Sequence, residues 1–475
     1  MLQEVAISQV LDRIRFENMW WNNGKIDPFY DQMPRRAYFE PFAQIYREME
    51  KVNRALLLMG PRRVGKSVML YHLVEQLIRN GVPARRILFI TVENPIYINI
   101  SLEQLFARGR EAAGSKSDLK GWHVIFDEIQ YLKNWEVHLK SLVDSYRHTR
   151  FIASGSAAAA LKYKSMESGA GRFTDFHLPP LTFMEFINMQ GLQRLVKPIS
   201  LPWGTKSAPF YEAVDLKQLN RHFLDYINFG GYPEAIFSES VRQNPERFIR
   251  QDVVDKVLLR DLPSLYGIHD VQELNALFTT IAYNTAREFS LETLSKQSGT
   301  QKNTIKKYLE YLESAFLIKS VRRLDQSGKR FQRDNFFKVY LTNPSLRAAL
   351  FSPLQATDEG IGELTETAIY AQWLHREKFT PWYARWSKGE VDMIGLDLKN
   401  LKPSWALEIK WSDRYVQSPH ELKSLLRFCK ENKLSRGLVT TINHQTKLSR
   451  EGIDLYFVPA SSYAYTVSAN TLQPN

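Results

Sequence analysis

The chain has almost no cysteine. Cys429 stands alone among 475 residues, which excludes an internal disulfide framework and any cysteine-based zinc site and leaves core filling as its part. Long apolar runs are missing as well. None approaches the ~18–20 residues of a membrane span, and the first residues lack the basic-then-apolar layout of a signal peptide, so a cytoplasmic protein with no membrane partner is expected. Acidic residues are outnumbered, 51 Asp and Glu against 63 Lys and Arg, for a formal net charge of +12. That excess suits a polyanionic partner such as nucleic acid. The apolar share of 44% and charged share of 24% are those of a globular protein, and the length has room for about three domains.

The most informative stretch is Gly60-Pro61-Arg62-Arg63-Val64-Gly65-Lys66-Ser67. It fits G-x-x-x-x-G-K-[ST], the phosphate-binding loop of nucleoside-triphosphatases. Ala55–Met59 ahead of it suits a buried parallel strand. Met69, Leu70, Leu73, Val74, Leu77 and Ile78 behind it recur at helical spacing. On this reading Gly60 and Gly65 free the backbone so that N–H groups converge on phosphate, and Arg62, Arg63 and Val64 complete the ATP cradle. Lys66 neutralises the β- and γ-phosphates, and the Ser67 hydroxyl ligates Mg²⁺.

Trp122–Phe126 is a second buried-strand pattern, ending in Asp127-Glu128. The strand beside the loop strand is expected to carry such acids, Asp127 holding the Mg²⁺ water shell and Glu128 orienting and deprotonating the attacking water. Arg150–Ala153 then runs into Ser154-Gly155-Ser156. There the Ser156 hydroxyl senses a γ-phosphate, or the three residues make an ordinary turn. Arg172 is either an arginine finger, in its own subunit or in a neighbour within a homo-oligomer, or a salt-bridging surface residue.

Strands alternating with helices over residues 51–180 imply a parallel sheet with ligands at the strands' C-terminal ends. Before it, Trp20-Trp21 reads as packing in an arm folded on the body. Residues 191–212, rich in Pro, Gly and Lys, read as a loop or linker. Residues 271–325 change to short helix, tight turn and basic second helix, the helix-turn-helix plan, with Phe316–Arg323 and Ser327–Arg330 as strands and tip of a wing. Gln301, Lys302, Lys306, Arg323, Lys329 and Arg330 would then contact DNA phosphates, or the winged helix serves protein packing alone.

The C-terminal third carries another constellation. Gly389-Glu390-Val391-Asp392 and Glu408-Ile409-Lys410 suit two strands of a hairpin, and Glu366 lies on a helical stretch. Glu408 and Lys410, two apart, share a face that Asp392 can meet. Carboxylates at Glu366, Asp392 and Glu408 suit one or two Mg²⁺ beside a scissile phosphate, with Lys410 orienting or activating water. That is the D…E-x-K logic of PD-(D/E)XK nucleases, although E-x-K alone is usually a solvated strand edge.

Across nearly its full length the sequence resembles the AAA-type ATPases of bacteria and archaea that carry a C-terminal domain of unknown function related to PD-(D/E)XK nucleases. The matching landmarks are the glycine loop, Phe126-Asp127-Glu128-Ile129-Gln130, Ser154-Gly155-Ser156 and Gly171-Arg172. They continue with Gly230-Gly231-Tyr232-Pro233-Glu234, Leu259-Arg260-Asp261, Lys338-Val339-Tyr340-Leu341, Gly389–Asp392 and Glu408–Lys410. The resemblance implies an α/β protein with an AAA-type parallel-sheet core, a helical lid, a winged helix and a nuclease-like domain. The expected segments are an arm at 1–50, a P-loop core at 51–190, linker and lid at 191–270, winged helix at 271–350 and nuclease-like domain at 351–475. The expected function is ATP hydrolysis governing engagement or cleavage of DNA, or of RNA. The alternative is a nucleotide-switched DNA-binding or protein-regulatory ATPase with a catalytically silent nuclease fold. One departure from the family is Thr342-Asn343-Pro344, where members often have an acid, and it puts a catalytic part for position 343 in doubt.

Overall fold

The computed structural model describes residues 6–49, 52–115, 120–156, 171–200, 208–330, 335–376 and 379–471. The chain divides into two compact units, Met1–Pro179 and Pro180–Asn475, where the sequence suggested five segments. Among the described residues no helix is long and apolar enough to cross a membrane.

The first unit is built on five parallel strands: β1 (Ala55–Gly60), β2 (Ile87–Thr91), β3 (His123–Asp127), β4 (Arg150–Ser156) and β5 (Phe173–His177). Their order is β2-β3-β4-β1-β5. Strands β1 and β3 are buried along their whole length, which is why they read as continuous apolar runs rather than alternating ones. The order corrects one expectation. The strand ending in Asp127 is not the neighbour of the loop strand, because β4 lies between them. Spatial order is set by crossover connections, which leave no local periodicity to read.

Strand β2 stands at the sheet edge, and the N-terminal arm covers it. Asn18 brackets Phe89, accepting from its N–H at 2.7 Å and donating to its carbonyl at 2.8 Å. The Trp20 and Trp21 indoles both donate to the Ile87 carbonyl, at 3.1 and 2.8 Å. Both rings are buried, as packing tryptophans should be. The arm satisfies backbone groups that an edge strand otherwise leaves bare.

Strand β3 begins at His123, whose Nδ1 is 2.5 Å from the Tyr46 hydroxyl. Burial first, and the Arg150 charge second, push the imidazole down from 6.5 to about 4. Unfolded chain therefore binds the proton first as pH falls from about 6.5 to about 4, and folding stability is lost across that window. The expected loss is on the order of 3 kcal/mol. Urea unfolding at pH 7.5 and pH 5 should show about 2 kcal/mol of it in the native protein and none in His123→Gln.

The second unit opens with helix Phe183–Met189, followed by a two-stranded antiparallel ribbon, β6 (Val196–Ile199) and β7 (Phe210–Ala213). It stands where the sequence suggested a loop; positions 201–207 lie outside the described residues. Helix Val271–Tyr283, β8 (Glu288–Ser290), helices Leu291–Ser298 and Lys302–Ser314, β9 (Ile318–Leu324) and β10 (Phe336–Leu341) follow. After helix Ile361–Leu374 come β11 (Trp382–Trp386), β12 (Gly389–Leu396), β13 (Pro403–Glu408), β14 (Arg436–Thr441), β15 (Thr446–Arg450) and β16 (Ile453–Pro459). Nine of these strands form one sheet in the order β15-β16-β14-β13-β12-β11-β9-β10-β8. It runs without a break past position 350, because β9 pairs in parallel with β11.

The turn after β9 is also fixed. Asn432 donates to the Gln326 carbonyl at 3.0 Å, and a Cβ on Gly328 would collide with Pro403 and Asn432. The expected wing tip is thus packed against its own unit. Asn343 has a structural part: it donates to the Tyr226 hydroxyl at 3.2 Å and accepts from the Ser345 N–H at 2.9 Å.

Candidate functional site

The glycine loop leaves the C-terminal end of β1 and enters helix Lys66–Arg79. Gly65 has φ +92° and Arg63 φ +63°, so the loop uses the left-handed region twice, once at a residue that resists it. Gly60 has a different reason to be glycine than the one its sequence context suggested. Its φ is ordinary, but a Cβ there would collide with the Leu178 carbonyl, so the constraint is closeness rather than conformation. Lys66 is buried, its ammonium donating to the Gly60 and Pro61 carbonyls at 3.1 and 2.8 Å. Arg62 is directed outward, donating to the Tyr131 hydroxyl at 3.2 Å.

At the end of β3 the Asp127 carboxylate accepts from the Ser67 hydroxyl at 2.7 Å on one oxygen and from the Ser154 hydroxyl on the other. The two groups expected to handle Mg²⁺ are therefore in contact although their strands are not adjacent. Burial, then the neighbouring Glu128, push the Asp127 carboxyl up to about 6. A cation beside it would favour the ionised form. Glu128 sits at φ +56°, a strained conformation of the kind stored at functional sites. Its carboxylate accepts from the Gln130 amide, and Gln130 in turn accepts from the Ser156 N–H at 3.1 Å. Ser156 pairs with Gly60 across β4 and β1, and its buried hydroxyl has no hydrogen-bond partner among the described residues.

Sequence reasoning missed three members of this site. Ser154 holds Asp127. Gln130 holds Glu128. Arg36, from the arm, is buried and donates to the Val64 carbonyl at 2.6 Å and to the Pro179 carbonyl at 3.0 Å, pinning the middle of the loop. Its surroundings, Met33-Pro34-Arg35-Arg36, have no periodicity that could have marked it. Arg36→Ala is expected to weaken ATP binding about ten-fold, as for the loss of one charge-assisted hydrogen bond of ~1.5 kcal/mol. An equilibrium titration with a fluorescent ATP analogue measures it, and unchanged affinity would contradict the pinning.

Arg172 lies elsewhere. It precedes β5, its carbonyl accepts from the Ala55 N–H at 2.9 Å, and its guanidinium pairs with Asp144 at 2.5 Å. This is the N-terminal end of the sheet, roughly 17 Å of strand away from the glycine loop. The finger role in its own subunit is excluded by that distance, and the salt-bridge reading describes what is seen.

In the second unit the expected carboxylates do converge. Met393 faces Leu407 across β12 and β13, so Asp392 lies opposite Glu408. Lys410 Nζ is 3.2 Å from Asp392 and 2.8 Å from Glu408. Glu366 is reached through a residue the sequence gave no chemical part. Lys338 of β10 is almost fully buried and lies 2.8 Å from Glu366, 2.6 Å from Glu390 and 4.0 Å from Asp392. Tyr340, two residues on and so on the same face, donates to Glu366 at 2.6 Å.

Burial opposes the charge on Lys338, but Glu366, Asp392 and Glu390 outweigh it and hold the ammonium well above its ordinary range. Burial, and then Asp392, push Glu408 up to about 7. Glu366 also rises to about 7, chiefly through burial. Burial works against Asp392 too, yet Lys410, Lys338 and the Ile409 N–H keep it below the usual carboxylate value. Ammonium groups thus stand between the acids expected to ligate Mg²⁺. Among the described residues no group of three or more acidic, His or Cys side chains is arranged to hold a metal ion. This arrangement does not fit a bound cation at Glu366, Asp392 and Glu408.

Of the residues expected to meet DNA, Gln301, Lys302, Lys306, Lys329 and Arg330 are exposed. Arg323 is paired with Glu288 at 3.5 Å, and Arg330 lies over the Trp382 ring at 5.4 Å.

Residues 52–187 match the family model AAA_14, described as an AAA domain. Over those residues the chain is similar to an AAA domain. Its glycine loop, Asp127 and Glu128 all lie inside the match, and ATP binding and hydrolysis are what such a domain supports. Residues 220–358 match a family described as a domain of unknown function, DUF8612. An uncharacterized protein of Haemophilus influenzae is 24% identical over 410 residues, 85% of this chain and 92% of its own. Uncharacterized protein MJ1544 of Methanocaldococcus jannaschii is 23% identical over 72% of each chain. Among solved structures, the Saccharomyces cerevisiae Hsp104–ADP complex aligns at 14% identity and TM-score 0.30, over 60% of this chain and 39% of the other. PCH-2 of Caenorhabditis elegans aligns at 16% identity and TM-score 0.29, over 46% of this chain and 64% of the other. The chain thus spans less than two thirds of either solved chain.

Proposed function

We propose that this protein is a Mg²⁺-dependent ATPase whose nucleotide state governs how its second unit engages DNA. The observation that carries the ATPase half is the contact of Ser67 with Asp127 at 2.7 Å beside Lys66. With Mg²⁺–ATP bound, the metal supplies charge neutralisation at the phosphates. Ser67 and Asp127 would hold it, Lys66 would turn from the loop carbonyls to the phosphates, and Glu128 would take a proton from water once Gln130 releases it. The Ser156 hydroxyl serves as the γ-phosphate sensor, and Arg172 acts, if at all, on a neighbouring subunit of a homo-oligomer. The setting is the cytoplasm.

For the second unit, the helix–strand–helix–helix–strand–strand order supports a winged helix, with Gln301, Lys302, Lys306 and Lys329 available to phosphates. The helix bearing Glu366 and strands β11 to β14 support a PD-(D/E)XK-like layout. A second reading is favoured by Lys338 and Lys410, which occupy the space between the acids: the nuclease fold is silent and the unit binds DNA, or RNA, without cutting it.

ATPase and plasmid-nicking assays on one preparation, with Mg²⁺ or Mn²⁺, separate the two. Cleavage lost in Asp392→Ala and Lys410→Ala supports the nuclease. No cleavage, together with ATP-dependent DNA binding that weakens steeply with salt, supports the silent form. Weak, salt-insensitive DNA binding would reject both.

A further inference from the structure

The first unit has a second concavity, at the opposite end of its strands from the glycine loop. It encloses about 590 Å³ and is walled by residues just before or at the start of β1, β3 and β4, together with the C-terminal part of helix Lys66–Arg79 and the end of the arm. That volume is within the ~300–1,000 Å³ usual for small-molecule sites. Five cationic side chains line it, Arg47, Arg54, Lys120, Arg147 and Arg150, and its described lining contains no Asp or Glu.

Charge of one sign gathered round a cleft is unusual without a counter-ion. Arg47, Arg54 and Arg147 are exposed, and none has a carboxylate partner among the described residues. Mutual repulsion would spread them over the surface if nothing anionic met them, and low-dielectric walls focus the resulting field into the cleft. The inner wall is rigid and partly aromatic: Trp122 and Tyr46 are buried, and the Arg150 guanidinium lies over the Tyr46 ring at 5.6 Å. Both rings are out of an occupant's reach, so recognition falls to the arginines, which meet anionic groups.

We propose that this concavity binds a phosphorylated small molecule of about mononucleotide size, separately from the ATP held by the glycine loop. The site is a cleft of limited volume rather than an extended stripe, which favours a small ligand over a polymer backbone. Strands β1, β3 and β4 connect it directly to Gly60, Asp127 and Ser156, so an occupant has a rigid route to the catalytic end.

Inorganic pyrophosphate, titrated calorimetrically into full-length Lys66→Ala protein with EDTA present, is the probe. Lys66→Ala disables the glycine loop, and binding should persist. Adding Arg54→Glu and Arg147→Glu should weaken it at least ten-fold while the circular dichroism spectrum stays unchanged. Both arginines are exposed, so folding is not at stake; Arg54→Gln with Arg147→Gln is the milder pair, expected to lose several-fold. Absence of binding in Lys66→Ala, or equal binding after charge reversal, overturns the proposal. Tighter binding of oligothymidylate than of pyrophosphate or adenosine monophosphate, lost on the same charge reversal, would also overturn it in favour of a polymer.

Discussion

Lys66→Ala is expected to reduce ATP turnover by at least ~10²–10³-fold, the usual cost of removing one preorganised group that meets charge developing in the transition state. The ammonium is already inside the loop, held by the Gly60 and Pro61 carbonyls. Those oxygens keep it within the loop, and with nucleotide bound it exchanges them for the β- and γ-phosphates. Alanine removes the positive charge and also leaves two loop carbonyls without their donor. A phosphate-release assay at saturating Mg²⁺–ATP measures the first effect; thermal melting of the nucleotide-free protein measures the second. Turnover close to the native rate would place the active site elsewhere, whatever the loop resembles.

Lys338→Met is expected to destabilise the second unit by ~3–5 kcal/mol at neutral pH, the range for breaking a buried ion pair from one side. Methionine nearly conserves volume, so the loss reports charge rather than a cavity. Without the ammonium, Glu366, Glu390 and Asp392 face one another, with Arg385 beside Glu390 and Lys410 beside Asp392 as the remaining cations. The pH dependence provides the internal check. Carboxylates left unpaired in a buried site acquire folded pKa values above their unfolded ones, so their penalty is full at high pH and relaxes as protons bind. The deficit against the native protein should be larger at pH 8 than at pH 5.5 in chemical unfolding. A deficit under about 1 kcal/mol, or one indifferent to pH, would show that these contacts do not hold the sheet together.

The features legible in the sequence were local ones. A buried strand, a glycine loop and a helix follow one another within thirty residues, and Asp127-Glu128 closes the next apolar strand but one. Each carries its own periodicity. What could not be read was assembled from a distance. Strand β4 enters between β1 and β3, and β5 completes the sheet after a long interval; nothing local announces either. Lys338 is the clearest case. In Phe337-Lys338-Val339-Tyr340 it looks like the solvent-facing member of an alternating strand, yet helix Ile361–Leu374 covers that face. This helix is buried nearly all round, so it offers no polar stripe to show which side Glu366 occupies. The tip after β9 misleads in the opposite way: Lys329 and Arg330 look like a free basic loop, but Gln326 and Gly328 anchor it.

The arm across β2 bears on what counts as the smallest working ATPase. The matched region begins at residue 52, beyond Asn18, Trp20, Trp21 and Arg36. A fragment starting there would present the Ile87 carbonyl and both polar groups of Phe89 to any chain able to add a strand. It would also release the middle of the glycine loop at Val64. Such a fragment should therefore self-associate through its open sheet border and bind nucleotide poorly, making the arm an integral layer of the first unit rather than an accessory tail.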